Sequence, residues 1–203
     1  LQQFRWNNTK VAEIKVITGD DTTNKDNAHI TFETASAGTT GERLRIDSDG
    51  RVLINSTVSR NIGANISRML QIESSGGGAG IAVVRNSDNT SGPSLDLGKS
   101  RGYPNTIVQS GDKLGVISFS GANGNSLQQS GAQITGEVDG TPGVDDMPGR
   151  LVFKTTADGA ATPTERVRIA SDGDITISPD GDPIVTITGS GHAQLNLTST
   201  SGT

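Results

Sequence analysis

The stretch ERLRIDSDGRVLI, residues 42–54, decides the fold class of this chain. Apolar and charged residues alternate in its first half, and a period of two places successive side chains on opposite faces of a β-strand. The loop DSDG at residues 47–50 follows, and its final glycine supplies the positive φ that a four-residue hairpin turn commonly needs. The stretch therefore predicts a β-hairpin over residues 42–55.

This hairpin has a copy further along the chain. Residues 165–177 read ERVRIASDGDITI, at an offset of 123 residues, and predict a second hairpin over residues 165–178. The segments upstream of the hairpins also match, because ITFET at 30–34 resembles LVFKT at 151–155 at an offset of 121 residues. Since the offset changes while the strand-like segments stay aligned, the length differences must lie in the loops.

The repeat divides the chain into three modules. We expect residues 1–57 to be the C-terminal part of a first module, residues 58–178 to be a complete second module and residues 179–203 to begin a third. Residues 62–70 are the one mildly helical stretch, and they are interpreted as a short helix or as a linker between modules.

Clusters of Gly, Ser, Asn, Asp and Thr separate the remaining strand-like segments. The sequence therefore predicts an all-β fold, built from repeated modules of short antiparallel strands and hairpins. Besides the two hairpins, strands are predicted over residues 11–17, 28–34, 81–85, 114–120, 132–138, 150–155 and 184–188.

Bulky side chains are scarce, with 3% aromatic residues, one Trp and one Tyr. Such a chain can form strands but has little to fill a thick core, and it can gain the missing burial by packing against copies of itself. The alternation predicts that Leu44, Ile46 and Ile54 face inward in the first hairpin. Their counterparts in the second hairpin are Val167, Ile169 and Ile177.

The net charge of −5 argues against nucleic acid and against an anionic membrane surface as partners. No stretch has the apolar length needed for insertion across a bilayer. The absence of cysteine excludes a disulfide framework and a thiolate metal site. The chain starts without Met and without the apolar region of a signal peptide, so we expect it to be an internal piece of a longer protein.

His29 and His192 are the two histidines of the chain, and a Ser-His-Asp triad would need one of them. No nucleophile-elbow motif accompanies either one. The carboxylate pairs Asp20-Asp21 and Asp145-Asp146 could act as an acid/base pair on a sugar or lie near calcium. Both pairs lie in polar loops, where solvated turn residues are commoner. We therefore expect no catalytic residue and no enzymatic activity.

Two motifs suggest a bound ion or phosphate but are incomplete. The 47–50 loop has the D-x-D-G form of a calcium loop, yet Val58 stands where an EF-hand requires Glu, and the copy begins with Ala170. The glycine-rich residues 76–80 lack the Lys and Ser/Thr of a phosphate-binding loop. Both motifs are interpreted as turns, and we expect neither a metal nor a cofactor.

Four arginines lie at matching positions of the two hairpins and alternate with apolar residues. They could bind an anion or a glycan, or form ion pairs between chains on the solvent side of each hairpin, and we favour the ion pairs. These arginines are Arg43, Arg45, Arg166 and Arg168.

The motifs ERLRIDSDG and TERVRI resemble motifs of the tail fibres of tailed bacteriophages. SGDKLGVISF at residues 110–119 and DGTPGVDDMPGRL at 139–151 are similar to further segments of those proteins. The resemblance covers most of residues 10–180. It implies a virion protein that forms an elongated, intertwined homotrimer, in which short strands of three chains build prisms, sandwiches or triple β-helices.

The resemblance also implies a function, namely a structural shaft segment that supports attachment to a host receptor. The implied partners are other tail or baseplate proteins and, through a distal tip, a bacterial surface glycan. Two other functions stay open: a module whose own loops bind a glycan, and a tailspike depolymerase. One Trp and one Tyr offer few platforms for stacking on sugars, which argues against both alternatives.

Overall fold

The computed structural model describes residues 1–19, 23–24, 26–63 and 66–178. Within these residues the chain has eleven strands in two sheets and no helix, which confirms the all-β prediction. The strands are β1 Gln2–Trp6, β2 Thr9–Thr18, β3 Ala28–Ser36, β4 Thr39–Ile46, β5 Val52–Ile54, β6 Leu70–Ile72, β7 Lys113–Ser120, β8 Ser130–Val138, β9 Gly149–Thr155, β10 Thr164–Ile169 and β11 Ile175–Ile177.

The first sheet contains β1 to β6 in sequence order, with antiparallel pairs up to β5 and a parallel pair between β5 and β6. Two-residue turns connect β1 to β2 and β3 to β4. The φ angles are 46° and 67° at Asn7 and Asn8, and 48° and 81° at Ala37 and Gly38. Positive φ at both central residues is type I′ geometry, whose twist matches that of the flanking strands. These turns therefore fold each strand directly back on its predecessor.

The second sheet has the strand order β11-β10-β9-β8-β7. Within it, β10 pairs antiparallel with both β9 and β11. By contacts the chain divides into two compact units: Leu1–Gly98 with Ser118–Ala132, and Lys99–Ile117 with the described residues from Gln133 onward. This division does not test the module boundaries proposed after residues 57 and 178, which stay predictions. The third module, residues 179–203, lies outside the described residues.

The two predicted hairpins are present and share one register. The register shifts at the same place in both, around Arg43 between β3 and β4 and around Arg166 between β9 and β10, as a one-residue bulge does. The matching partners are Leu44–Ile54 and Ile46–Val52 in the first hairpin, and Val167–Ile177 and Ile169–Ile175 in the second.

The hairpin turns have the glycine geometry that the sequence predicted. Gly50 and Gly173 have φ of 78° and 91°, backbone angles that residues with a Cβ rarely adopt. The N–H groups of these glycines donate to the carbonyls of Asp47 and Ala170, and each N···O distance is 3.0 Å. Since Ala170 replaces Asp47 without changing this bond, the backbone and the glycine suffice to form the turn.

Five further predicted strands are confirmed, those over residues 11–17, 28–34, 114–120, 132–138 and 150–155. The strand predicted over residues 81–85 is wrong for the single chain, because these residues belong to no strand and have no backbone hydrogen bond to another described residue. The described part of 62–70 contains no helix, which leaves the linker interpretation. The predicted strand over 184–188 lies outside the described residues. Sequence reasoning missed β1 and β6.

Few large aliphatic side chains are buried. Among the described residues they are Leu53, Val108, Val138 and Val152, whereas 27 large hydrophobic residues are exposed. The inward orientation predicted for the alternating hairpin positions is not reached within one chain, since Ile169 and Ile177 are 36% and 46% exposed. The chain therefore folds into sheets whose hydrophobic residues are only partly covered by the described residues.

Candidate functional site

One face of the first sheet carries a cluster of ion pairs around Glu13, whose side chain is 2% exposed. Its carboxylate accepts hydrogen bonds from Lys10 Nζ and Gln3 Nε2, each at 2.7 Å, and lies 3.2 Å from Lys15 Nζ. Hydrogen bonds from Lys10 and then Gln3 lower the pKa of Glu13 to about 2. Lys15 also reaches Glu33 on β3 at 2.5 Å, so the cluster, which includes Gln3 of β1, joins three strands.

The second sheet has a corresponding cluster around Glu137, whose side chain is 8% exposed. Arg150 and Lys154 of β9 donate to its two carboxylate oxygens at 2.8 and 2.9 Å. Burial alone raises the pKa of Glu137, but the hydrogen bonds from Lys154 and Arg150 outweigh burial and leave this pKa below its ordinary value. Arg150 also contacts Asp139 at 2.9 Å, so its guanidinium is held between two carboxylates.

Two fully buried residues occupy equivalent positions beneath the charged side chains. Thr31 is the strand partner of Arg45 in the first sheet, and Val152 is the partner of Arg168 in the second. Both are 0% exposed. The Thr31 hydroxyl has no hydrogen-bond partner among the described residues, whereas valine has no polar atom to satisfy. Val152 of the second sheet therefore suits a fully buried position better than Thr31 of the first sheet does.

The hairpin arginines bind within their own chain. Arg45 donates to Glu42 at 2.7 and 2.8 Å, and Arg168 donates to Glu165 at 2.9 Å. Arg43 donates to the Thr34 hydroxyl at 3.1 Å, and the matching Arg166 donates to that of Thr155 at 3.0 Å. Ion pairs between chains stay a prediction, and for Arg45 and Arg168 they would have to share a group that already has a partner.

The opposite face of the first sheet is made of aliphatic and aromatic rows. Strand partners place these residues side by side, because residues in register point to the same face. The residues at the two ends of one row are the most exposed, with Val16 69% and Leu70 51% exposed. One row contains Ile14, Phe32, Leu44, Ile54 and Ile72, and the other contains Val16, Ile30, Ile46, Val52 and Leu70.

The second sheet repeats these rows over β9, β10 and β11. Among their members, Leu151, Ile169 and Ile175 are 38%, 36% and 67% exposed. The rows are Leu151–Ile169–Ile175 and Phe153–Val167–Ile177. The two rows of each sheet form one surface, and we call these surfaces the apolar faces of the two sheets. Each sheet thus separates its side chains into a charged face with satisfied ion pairs and an apolar face that the described residues leave partly open.

The residues considered for chemistry lie on different elements of the chain. His29 is half-buried on β3, where it is the strand partner of Ile17. Asp145 and Asp146 lie in a tight turn in which Gly143 N–H donates to the Asp146 carbonyl at 3.0 Å, and Asp145 has a φ of 56°. Asp20, Asp21 and His192 lie outside the described residues.

The two incomplete ion motifs are exposed loops. The Asp47 carboxylate accepts hydrogen bonds from the Asp49 and Arg51 N–H groups and from Arg51 Nε at 2.7 Å, so it closes its own turn. Residues 76–80 are exposed and belong to no strand. No group of three or more potential metal ligands occurs among the described residues, nor does a helix long and apolar enough to cross a membrane.

Sequence reasoning missed the carboxylates that organise the charged faces. The signal for Glu13 was present, because Glu13 and Lys15 lie within the strand predicted over residues 11–17 and Lys10 directly precedes it. Glu137 had no such local signal, since its partners Arg150 and Lys154 lie on another strand.

Comparison with known proteins rests on structure alone, since no protein-family model and no curated protein sequence matches the chain. The carboxy-terminal domain of the bacteriophage T5 L-shaped tail fibre is similar, with a TM-score of 0.72 and 14% identity over 100% of this chain and 85% of that one. The fold is therefore that of a phage tail-fibre domain. A structure of the same T5 domain with its intramolecular chaperone domain has a TM-score of 0.70 and 14% identity, and this chain covers 59% of it.

Proposed function

We propose that this chain is a structural shaft segment of a phage tail fibre and acts as a homotrimer in which the apolar faces of three copies form a shared core. The observation that carries the proposal is the open apolar face of each sheet, in a chain whose fold is that of a tail-fibre domain. Burial of apolar surface is the main driving force for association, and the chain itself buries few large side chains.

The charged faces support the same function. A face whose carboxylates are already paired within the chain gains little from a partner, because further burial would desolvate satisfied groups. Each sheet can therefore turn its apolar face to other copies and its charged face to water. The virion is the expected location, and the expected partners are other copies of the chain and further tail or baseplate proteins.

We further propose that the segment is not an enzyme and works by geometry. It would hold a receptor-binding tip away from the particle and transmit contact back to it, because a sheet braced by neighbouring strands resists bending. The placement of His29 on a strand and of Asp145 and Asp146 in a tight turn gives each of them a structural explanation, which supports a non-catalytic role.

The mass of the purified chain in solution tests the assembly. Light scattering at micromolar concentration should give about three times the chain mass of 20.9 kDa. A folded monomer would contradict the proposal. Deletion of residues 58–178 from the complete fibre should shorten it in electron micrographs and impair host attachment, whereas a fibre of unchanged length would count against a shaft role.

A further inference from the structure

The loop between β7 and β8, residues 121–129, reads GANGNSLQQ and contains the dipeptide Asn123-Gly124. We call it the β7–β8 loop. Asn123 is the one asparagine of the sequence that precedes a glycine. This dipeptide is prone to deamidation, because glycine has no side chain to hinder attack of its backbone nitrogen on the asparagine carboxamide. The dipeptide is therefore a candidate for spontaneous covalent modification.

The backbone nitrogen of Gly124 is the attacking group in this reaction. Gly124 is exposed, and no other atom of the described residues lies within 4 Å of the place where a Cβ would stand. Its N–H group donates no hydrogen bond to any described residue. An N–H group within a strand ladder would first have to break its bond, whereas that of Gly124 is free to lose its proton.

The carboxamide of Asn123 is the group under attack, and its oxygen is held by two backbone donors. Asn123 Oδ1 accepts hydrogen bonds from the N–H groups of Asn125 and Ser126 at 2.9 and 2.7 Å. Attack on Cγ places a negative charge on Oδ1. Donors that already point at such an oxygen stabilise the charge as it develops, without further reorganisation. The turn that Asn123 forms with its own backbone thus also activates its carboxamide.

Water reaches both groups. Asn123 is exposed, and Gly124, Asn125 and Ser126 line a cavity of about 490 Å³ together with Arg60 and other residues of the same unit. One water molecule occupies about 30 Å³ in the liquid, so the cavity has room for several. The β7–β8 loop contains no charged residue and belongs to neither apolar face. An assembly that buries the apolar faces would therefore leave this loop in contact with water.

We infer that Asn123 is a site of spontaneous deamidation, promoted by the two N–H groups that hold its side-chain oxygen. The Gly124 nitrogen loses its proton to hydroxide and forms a bond to Asn123 Cγ. The bond from Cγ to Nδ2 then breaks, and Nδ2 takes a proton from water and leaves as ammonia. The product is a five-membered succinimide ring. Water adds to one of the two ring carbonyls and opens the ring, which leaves aspartate or isoaspartate at position 123.

The reaction adds a negative charge to a loop that had none. An aspartate at position 123 can accept the same two N–H groups, and a charged acceptor forms the stronger hydrogen bonds. The neighbouring Gln129 loses a donor, because its Oε1 now accepts a hydrogen bond from Asn123 Nδ2 at 2.9 Å. Isoaspartate instead brings an extra carbon into the main chain, so it cannot keep this turn. A stored preparation therefore becomes a mixture of chains that differ in charge and in the shape of this loop.

Peptide mass spectrometry of the folded, full-length chain after storage tests the inference. Asn123 should convert to the acid before any other asparagine, and Asn125 of the same loop is the internal control. The rate should rise roughly tenfold per pH unit, as expected when a very weak acid must lose a proton. It should also be about tenfold higher than in an unstructured peptide of residues 118–132, the effect of about one hydrogen bond that strengthens in the transition state. An equal or lower rate in the folded chain would overturn the inference, because the hydrogen bonds would then restrain the carboxamide instead of activating it.

A matched pair of glycine variants gives an independent test. Gly121 and Gly124 lie in the same loop, and neither has an atom within 4 Å of an added Cβ. Gly124→Ala should slow the conversion of Asn123 at least about tenfold, because a Cβ hinders the attacking nitrogen. Gly121→Ala should leave the rate unchanged, and circular dichroism verifies that both variants keep the fold. Equal rates of conversion in the two variants would contradict attack by the Gly124 nitrogen.

Discussion

The substitution Val16→Asp distinguishes the proposed assembly from a monomer, because Val16 lies at the end of an apolar row and is 69% exposed in the single chain. Full burial of a valine side chain contributes about 2 kcal/mol, so the covered third contributes about 0.6 kcal/mol. The lower β-propensity of aspartate adds up to about 1 kcal/mol. In a monomer, Val16→Asp should therefore lower the free energy of unfolding by no more than about 1.6 kcal/mol.

In a shared core the same substitution costs much more. The remaining two thirds of the valine contribute about 1.4 kcal/mol. A buried carboxyl group without a partner takes up a proton, and at pH 7 this costs about 4 kcal/mol for an ordinary pKa near 3.9. The additional loss is about 5 kcal/mol per chain, and 1.4 kcal/mol already changes an equilibrium constant tenfold. Val16→Asp should therefore abolish the trimer at micromolar concentration.

Val58→Asp is the matched control, since Val58 is 67% exposed but belongs to neither sheet. The assays are the mass by light scattering and the urea midpoint of each variant. The expected result is a monomeric Val16→Asp chain and a Val58→Asp chain with the mass of the unmodified protein. Equal masses and equal midpoints for the two variants would refute the reasoning.

Three further predictions concern residues elsewhere. Thr31→Val should raise the free energy of unfolding by about 1 kcal/mol in urea denaturation, because it removes a buried hydroxyl that has no partner among the described residues and keeps the side-chain shape. A loss of stability would show that the hydroxyl gains a partner in the proposed assembly. The pKa of Glu13 is lowered to about 2 from an ordinary value of 4.5, so its contribution to stability is present above pH 4.5 and is lost as the pH falls towards 2. Glu13→Gln should weaken this acid sensitivity, and an unchanged profile of urea midpoint against pH would contradict the role of the ion-pair cluster. Replacement of Asp145, Asp146 and His29 together by Ala should leave phage adsorption within error, and saccharide cleavage that disappears in this variant would establish a depolymerase.

The hairpins could be predicted because all their information is local. The alternation around Leu44, the Gly50 turn and the copy at residues 165–178 each occupy a few neighbouring residues. β6 could not be predicted in this way, since its three residues are too few to show a period and it is held by a parallel strand that ends 16 residues earlier. Local pattern determines whether a strand can form, but not which strand will pair with it.

Residues 81–85 show the converse limit. Residues 81–85 have the composition of a strand, yet no described part of the chain supplies a partner. The charged faces were only partly foreseeable, because the pairing of Lys15 with Glu33 and of Glu137 with Arg150 depends on the register between strands. The two aspartate motifs were interpreted as turns, and the structure gives the physical reason: the Asp47 carboxylate closes its own turn, and Asp145 occupies a tight turn.

The separation of charged from apolar faces also protects folding against error. Side chains alternate with a period of two, so a slip of one residue between β4 and β3 would place Arg45 among the hydrophobic residues beside Phe32 and turn Ile46 to water. A sheet with this misaligned register would be unstable, because its ion pairs would be broken and the charged side chains of β4 would lie among hydrophobic residues. Strands as short as β5 and β11, with three residues each, have too few backbone bonds to hold a wrong alignment for long. Misaligned strands would therefore separate and realign before the wrong register could persist.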